Sequence, residues 1–174
     1  QFDPSSQNTL AEKEEMLQLL QELKNLKDEG KIRSIGLSNE TAWGTMQFLN
    51  IAKSNNLPNI VSIQNEYSLL CRWFDLDMSE ICHHENVGLL AFSPLACGIL
   101  SGKYLREKVP NGSRKSIYSD LGNRFNSNTN LVADKYIKLA KRYGLDPCQM
   151  ALSFCLSRPF MTSVIFGSTN KNQL

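Results

Sequence analysis

The sequence predicts an α/β fold built on a parallel sheet. Four short apolar segments with the character of strands alternate with segments whose apolar residues recur at helical spacing. A strand, a crossover helix and a second strand form a right-handed unit whose strands run parallel. Periodicity leaves two architectures open, a doubly wound open sheet and a (β/α) barrel. The length of 174 residues does not decide between them, since a complete barrel usually needs about 250.

The first elements are a long helix, a strand and a second helix. Thr9 and Glu12 form a predicted capping box at the start of the first helix, and Gly30 is a predicted left-handed residue at its end. A strand is expected over residues 32–37, and the second helix over residues 41–53.

The middle of the chain continues this alternation and then departs from it. Residues 60–63 are a predicted strand, residues 75–84 a helix, and residues 87–92 the most apolar strand of the chain. Residues 104–130 are polar and show no sustained periodicity. A stretch of that length inside a compact domain usually forms a functional loop or lid.

Two helices and a strand follow the loop. The first helix is predicted over residues 131–143, and the second has Asp146 as its cap and Pro147 at its first position. Residues 163–166 are the last predicted strand. Residues 167–174 then have the form of a strand-to-helix turn that stops far short of the roughly 12 residues of a stable helix. We therefore expect a fragment of four βα units, truncated at both ends.

Composition argues against several functional classes. A formal net charge of +2 is too weak a basic signal for a nucleic-acid partner. No apolar run approaches the ~20 residues of a membrane-spanning helix, so membrane insertion is not expected. The five cysteines are odd in number and scattered, which indicates reduced thiols in a cytoplasmic protein and not a disulfide framework.

Polar or small residues follow each predicted strand. Ligands of parallel α/β folds bind outside the carboxyl ends of the strands, but helix caps and turns favour the same residue types. Either role is open for Ser38, Asn39, Ser168 and Thr169. Gln64 has no role in a turn, and leaving its amide unpaired would cost ~1–3 kcal/mol. A ligand amide is one natural partner for it.

Two further patterns have weaker chemical meaning. The Gly-rich turn from Gly98 to Tyr104 fails the Walker pattern, because Tyr104 stands where Ser or Thr must hold magnesium. Two interpretations of this segment stay open. It forms a turn that presents backbone N–H groups and Lys103 to a phosphate, or Lys103 is an exposed lysine in a loop. The adjacent Cys82, His83 and His84 are not a metal site, because neighbouring helical side chains diverge by about 100°.

Four segments, in order, resemble the second half of the aldo-keto reductases. They are GKIRSIGLSN (residues 30–39), QNEYSLL (64–70), FSPLACGILSGKY (92–104) and SVIFGS (163–168). The resemblance extends through essentially the whole chain. It is strongest to the branch that contains bacterial Tas-type reductases and potassium-channel β subunits.

This resemblance implies a (β/α)8 TIM barrel that binds NADP(H), with residues 1–174 as the C-terminal half of the barrel domain and its last four βα units. Ser38, Asn39 and Gln64 would bond the nicotinamide carboxamide, and Phe92 would stack on the ring. The pyrophosphate path would be lined by Ser93, Pro94, Leu95, Cys97 and Gly98. Positive charge for the phosphates would come from Lys103 and from Arg114, which lies on a loop that closes over the cofactor. The adenosine end would be held by Gly167, Thr169 and Gln173.

The resemblance also implies what the chain lacks. Family catalysis uses an Asp, a Tyr, a Lys and a His from the first four strands, and none of those positions is in this chain. We expect NADPH-dependent reduction of small aldehydes or ketones by the intact protein, with the missing N-terminal half as partner, and no turnover by the fragment alone. Two alternatives are an NADP(H)-sensing regulatory subunit of the channel-β type and a half barrel that pairs with itself.

Overall fold

The computed structural model describes Ser5, residues 8–168 and residues 170–173. Its strands are β1 (Ile35–Ser38), β2 (Ile60–Glu66), β3 (Gly88–Phe92) and β4 (Met161–Val164). Its helices are α1 (Thr9–Asp28), α2 (Ala42–Ser54), α3 (Met78–Glu85), α4 (Arg114–Ile117), α5 (Ser127–Arg142) and α6 (Pro147–Leu156).

The strand order selects one of the two architectures left open by periodicity. The four strands form one sheet in the order β1-β2-β3-β4, and each neighbouring pair is parallel. A doubly wound sheet reverses its strand order at a switch point, whereas a barrel adds every new strand at the same edge. The fold is therefore α/β with the strand order of a partial (β/α) barrel.

Several element bounds differ from those predicted. The cap of α1 is Asn8, whose side chain accepts a hydrogen bond from the Ala11 N–H at 3.2 Å; Thr9 is already helical. Gly30 has the predicted left-handed backbone, with φ +74°. Helix α3 begins three residues later than predicted, after a 3₁₀ turn (Trp73–Asp75).

The strands and the fifth helix differ as well. Strand β1 begins at Ile35, and β2 continues through Glu66 instead of ending at residue 63. Strand β4 lies two residues earlier than predicted. Helix α5 begins four residues earlier, because the side chains of Asn126 and Thr129 form a capping box with the backbone.

Two cores divide the molecule. The sheet core lies between one face of the sheet and the helices and includes Leu20, Phe48, Leu49, Ile63, Met78 and Leu89, each at most 7% exposed. The loop core joins the segment after β3 to α5 and α6 and includes Ala96, Ile99, Leu100, Tyr104, Leu121, Ala133, Ile137 and Ala151. The segment without periodicity is thus anchored by apolar side chains of its own.

Two global features bear on the sequence expectations. The five cysteine side chains form no disulfide. Among the helices in the described part of the chain, none combines the length and the apolar character needed to cross a membrane.

Candidate functional site

Three of the predicted site residues share one face of the sheet. Ser38 pairs in register with Gln64, and Glu66 pairs with Phe92. Because side chains alternate along a strand and point the same way across neighbouring strands, Ser38, Gln64 and Phe92 all lie on the face opposite the sheet core. Gln64 and Phe92 are half-buried and Ser38 is exposed. A hydroxyl, an amide and an aromatic ring therefore stand side by side.

Asn39 extends this edge beyond β1. Its backbone is left-handed, with φ 55°, a conformation that asparagine tolerates better than most residues. Its N–H donates to the carbonyl oxygen of Gln64 at 2.9 Å, and its side-chain amide donates to the Ser38 hydroxyl at 3.2 Å. Asn39 is thus held against the end of β2, next to the other polar groups.

A tight turn with unusual backbone conformations follows β3. Ser93, Ala96, Cys97 and Gly98 have φ of 52°, 47°, 56° and 92°. The left-handed conformation costs a non-glycine residue roughly 1–2 kcal/mol, and such strain concentrates at functional sites. Within the turn, the N–H groups of Ala96 and Gly98 donate to the carbonyl oxygens of Ser93 and Leu95 at 2.8 Å and 2.9 Å and so hold its shape.

Both predicted cations reach this turn. The Nη1 atom of Arg114 lies 3.5 Å from the Cys97 sulfur. A Cβ built on Gly98 would lie 2.7 Å from Lys103 Cε and 3.0 Å from Nζ, so the lysine side chain packs directly on the glycine. Among the side chains that the structure describes, neither cation pairs with a carboxylate. Two positive charges are therefore available to an anion here.

Glu66 and Arg124 form an ion pair that the sequence did not indicate. Arg124 Nε donates to Glu66 Oε1 at 2.7 Å and Nη2 donates to Oε2 at 2.6 Å. The hydrogen bond to Glu66 raises the pKa of Arg124 above its already high usual value. Because side chains alternate along a strand, the sequence places Glu66 on the same face of β2 as Gln64. No local signal in the sequence points to its partner, which is 58 residues away.

A thiol lies close to this ion pair. Burial, and after it the negative charge of Glu66, raises the pKa of Cys71. Its sulfur lies 3.9 Å from the Glu66 carbonyl oxygen. Cys71 is therefore a protonated, packed side chain at neutral pH.

The predicted adenosine-binding residues follow β4, at the edge of the sheet opposite β1. Gly167 is exposed, and Gln173 lies in a 3₁₀ turn (Lys171–Gln173). Thr169 lies outside the described residues. Of the pyrophosphate residues, Pro94 is buried and Leu95 half-buried at the turn after β3.

Other concave surfaces lie elsewhere on the molecule. A cavity of about 350 Å³ at the amino ends of β3 and β4 is lined by residues that include His83, Gly88 and Met161. Among the residues with described placement, no group of three or more His, Cys, Asp or Glu side chains is arranged to hold a metal ion.

Comparison with known proteins identifies relatives along nearly the whole chain. The model of the Aldo/keto reductase family matches residues 2–174. The chain is 43% identical to Protein tas of Escherichia coli (strain K12) over 159 residues, which are 91% of this chain and 46% of that protein. It is 38% identical to an aldo-keto reductase of Babesia bovis over 161 residues, 89% of this chain and 56% of that protein.

A more distant relative is the Bacillus subtilis (strain 168) protein named uncharacterized oxidoreductase YrpG, 30% identical over 145 residues, 83% of this chain and 43% of that protein. The chain spans about half the length of the curated relatives it matches. The family comprises oxidoreductases that act on small-molecule carbonyl compounds and generally use NAD(P)H. The family match and the identity to Protein tas together show that the chain belongs to the aldo/keto reductase family, on its Tas-type branch.

Proposed function

We propose that the parent protein, meaning the natural polypeptide that contains these 174 residues, reduces aldehyde or ketone carbonyls with NADPH. This chain would be the C-terminal half of its barrel domain and would supply the cofactor-binding half. One observation carries the proposal: Ser38, Gln64 and Phe92 share a face at the carboxyl ends of the strands, beside a turn that two positively charged side chains reach.

The strand ends have the chemistry that a nicotinamide requires. A carboxamide both donates and accepts hydrogen bonds, and so does the side chain of Gln64, while the Ser38 hydroxyl adds a second group of the same kind. The flat ring of Phe92 stacks on a flat heterocycle and shields one of its faces from water. Ser38, Gln64 and Phe92 would hold the reduced nicotinamide, which would supply the hydride for the carbonyl carbon. The chain's own part is to orient the ring.

The turn after β3 has the chemistry that a pyrophosphate requires. Lys103 and Arg114 both reach it and bring positive charge to one place. Gly98 lets the Lys103 side chain lie directly against the backbone of the turn, because any side chain at position 98 would displace the lysine. Ser93, Leu95 and Cys97 complete this wall. Gly167, Thr169 and Gln173 would hold the adenosine end.

The proton that completes carbonyl reduction has to come from another part of the parent protein. The family's Asp, Tyr, Lys and His belong to strands that would precede this chain, in an N-terminal half that packs against β1. The 174 residues alone would therefore bind cofactor without catalysing turnover. We further propose a cytoplasmic location, in keeping with the unpaired thiols.

The proposal is tested by titrating the parent protein with NADPH and with NADH and by following NADPH consumption with a panel of aldehydes and ketones. We expect tighter binding of NADPH and measurable carbonyl reduction. Replacing Gln64 by Ala should weaken NADPH binding by about tenfold or more, since it leaves the carboxamide without a partner. Gln149→Ala, the same change at an exposed position of α6, is the matched control.

Two results would contradict the assignment. NADPH binding without reduction of any aldehyde or ketone would contradict the proposed reductase activity. Equal NADPH affinities of Gln64→Ala and Gln149→Ala would show that the carboxyl edge of β2 is not the nicotinamide site.

A further inference from the structure

We infer that Glu66 and Arg124 are positioning residues that fasten the 93–126 loop across the carboxyl edge of the sheet and thereby set the rate at which the cofactor leaves. This inference rests on the proposed cofactor site. It assigns to the ion pair a role in cofactor exchange that the binding residues themselves do not provide.

The ion pair has the geometry of a specific, reversible contact. Two parallel hydrogen bonds of 2.7 Å and 2.6 Å join the guanidinium to the carboxylate, an arrangement that is both strong and demanding in orientation. The side chains of Arg124 and Glu66 are 29% and 23% exposed. Because water can reach both groups, the pair can open without unfolding either core.

The same guanidinium also holds the loop. Its third nitrogen, Nη1, donates to the carbonyl oxygens of Leu121 and Gly122 at 3.2 Å and 3.3 Å. Leu121, Gly122 and Asn123 are all left-handed, and the Asp120 carboxylate accepts hydrogen bonds from the N–H groups of Gly122 and Asn123. Arg124 therefore joins a strained turn to the end of β2.

The turn is fixed on its other sides as well. Leu121 is buried in the loop core at 2% exposure. The Thr129 hydroxyl donates to the Arg124 carbonyl oxygen at 2.8 Å, next to the capping box that begins α5. Glu66 is thus the partner that ties this turn to the sheet, whereas the other contacts tie it to α5 and the loop core.

Position connects the ion pair to cofactor exchange. Glu66 lies two residues beyond Gln64 on the same face of β2 and is in register with Phe92. The same loop carries Arg114, which reaches the turn after β3. When the end of the loop separates from Glu66, the whole loop loses a fixed attachment to the cofactor side of the sheet. Arg114 is part of that loop and loses the attachment with it.

The first test is the rate of NADPH release from the parent protein, measured by stopped flow. Glu66→Gln should raise that rate about tenfold, because an amide cannot replace the charge-assisted double hydrogen bond. The KM for NADPH should rise without a loss of kcat, since no group of the pair takes part in hydride or proton transfer. Asp134→Asn makes the same change in a more exposed ion pair with Lys138 on α5 and should leave both quantities unchanged.

A second variant protects the test against misfolding. Arg124→Lys keeps the positive charge but loses the planar fork, so NADPH release should accelerate by a smaller factor, about threefold. A purely structural role would instead lower the unfolding temperature of these variants without separating KM from kcat.

Amide hydrogen exchange of the cofactor-free protein separates this inference from the proposed function. Glu66→Gln should increase exchange in residues 114–124 about tenfold relative to Asp134→Asn. Faster exchange with an unchanged NADPH release rate would overturn the inference and leave the proposed function intact. Unchanged exchange and unchanged release would overturn it as well. Failure of the parent protein to bind NADPH would overturn both, whatever the loop does.

Discussion

The sheet with its helices and the 93–126 loop are organised by different physical means. Nine described non-glycine residues have positive φ, and the three outside the loop are all asparagine, which tolerates this conformation. The six within the loop are Ser93, Ala96, Cys97, Arg106, Leu121 and Asn123. The sheet follows local preferences, whereas the loop is held against them by particular contacts.

The cores of the two regions show the same difference. In the sheet core, Ile63, Leu89 and Ala91 are completely buried on central strands that neighbours flank on both sides. In the loop, burial is confined to a few side chains between polar turns, and one ion pair and several hydrogen bonds hold the turn at residues 120–124. Stability should therefore come from the sheet, and adjustable contacts with a ligand from the loop.

The largest effect is expected in the sheet core. Leu89→Ala should lower the free energy of unfolding of the parent protein by about 3 kcal/mol, because it leaves a cavity on a central strand. Urea denaturation provides the measurement, and Leu76→Ala, at a position 74% exposed, is the control and should change little. A larger loss from Leu121→Ala than from Leu89→Ala would reverse the comparison.

A smaller, pH-dependent effect is expected at the end of β2. Burial, followed by the hydrogen bond to Asp75, raises the pKa of Tyr67 to about 12. Between about pH 10 and pH 12 the unfolded chain loses the Tyr67 proton while the folded protein keeps it. The free energy of unfolding should therefore fall over this range, by about 1 kcal/mol near pH 11.

The Tyr67→Phe variant isolates this contribution, since it has no proton to lose. Urea denaturation at about pH 9 and about pH 11 should show a smaller decline for Tyr67→Phe than for the unmodified protein. Equal declines for the two proteins would show that Tyr67 does not titrate abnormally.

The smallest effect is expected from relief of strain in the loop. Arg106 is exposed and left-handed, with φ 57°, so Arg106→Gly should stabilise the protein by about 1 kcal/mol or slightly less. Arg106→Ala removes the same side chain and keeps the steric conflict, so it should bring no gain. If glycine and alanine have equal effects in thermal unfolding, the loop does not carry the strain described here.

The comparison also explains what sequence patterns can predict. Hydrophobic periodicity located the four strands because each strand packs apolar side chains against the sheet core. The prediction for β4 was two residues late: Ile165 and Phe166 are apolar but 41% and 49% exposed, and strand pairing ends at Val164. The choice of a barrel needed the spatial strand order, which no local pattern contains.

The residues of the proposed site also divide into those with a local sequence signal and those that depend on contacts distant in sequence. The sequence points to Ser38 and Gln64 as candidate residues of the proposed site because polar side chains after apolar strands are a local signal. The resemblance to the family added Arg114. Arg124 was missed, since its partner Glu66 is 58 residues away and the turn that presents it depends on three left-handed residues.

Hydrogen exchange of the parent protein with and without NADPH tests most directly whether the carboxyl edge of the sheet binds the cofactor. The account predicts slower exchange with NADPH in residues 93–98 and 114–124, and no change around the cavity lined by His83 and Met161 at the amino edge. Slower exchange around that cavity, with the 93–126 loop unaffected, would contradict it.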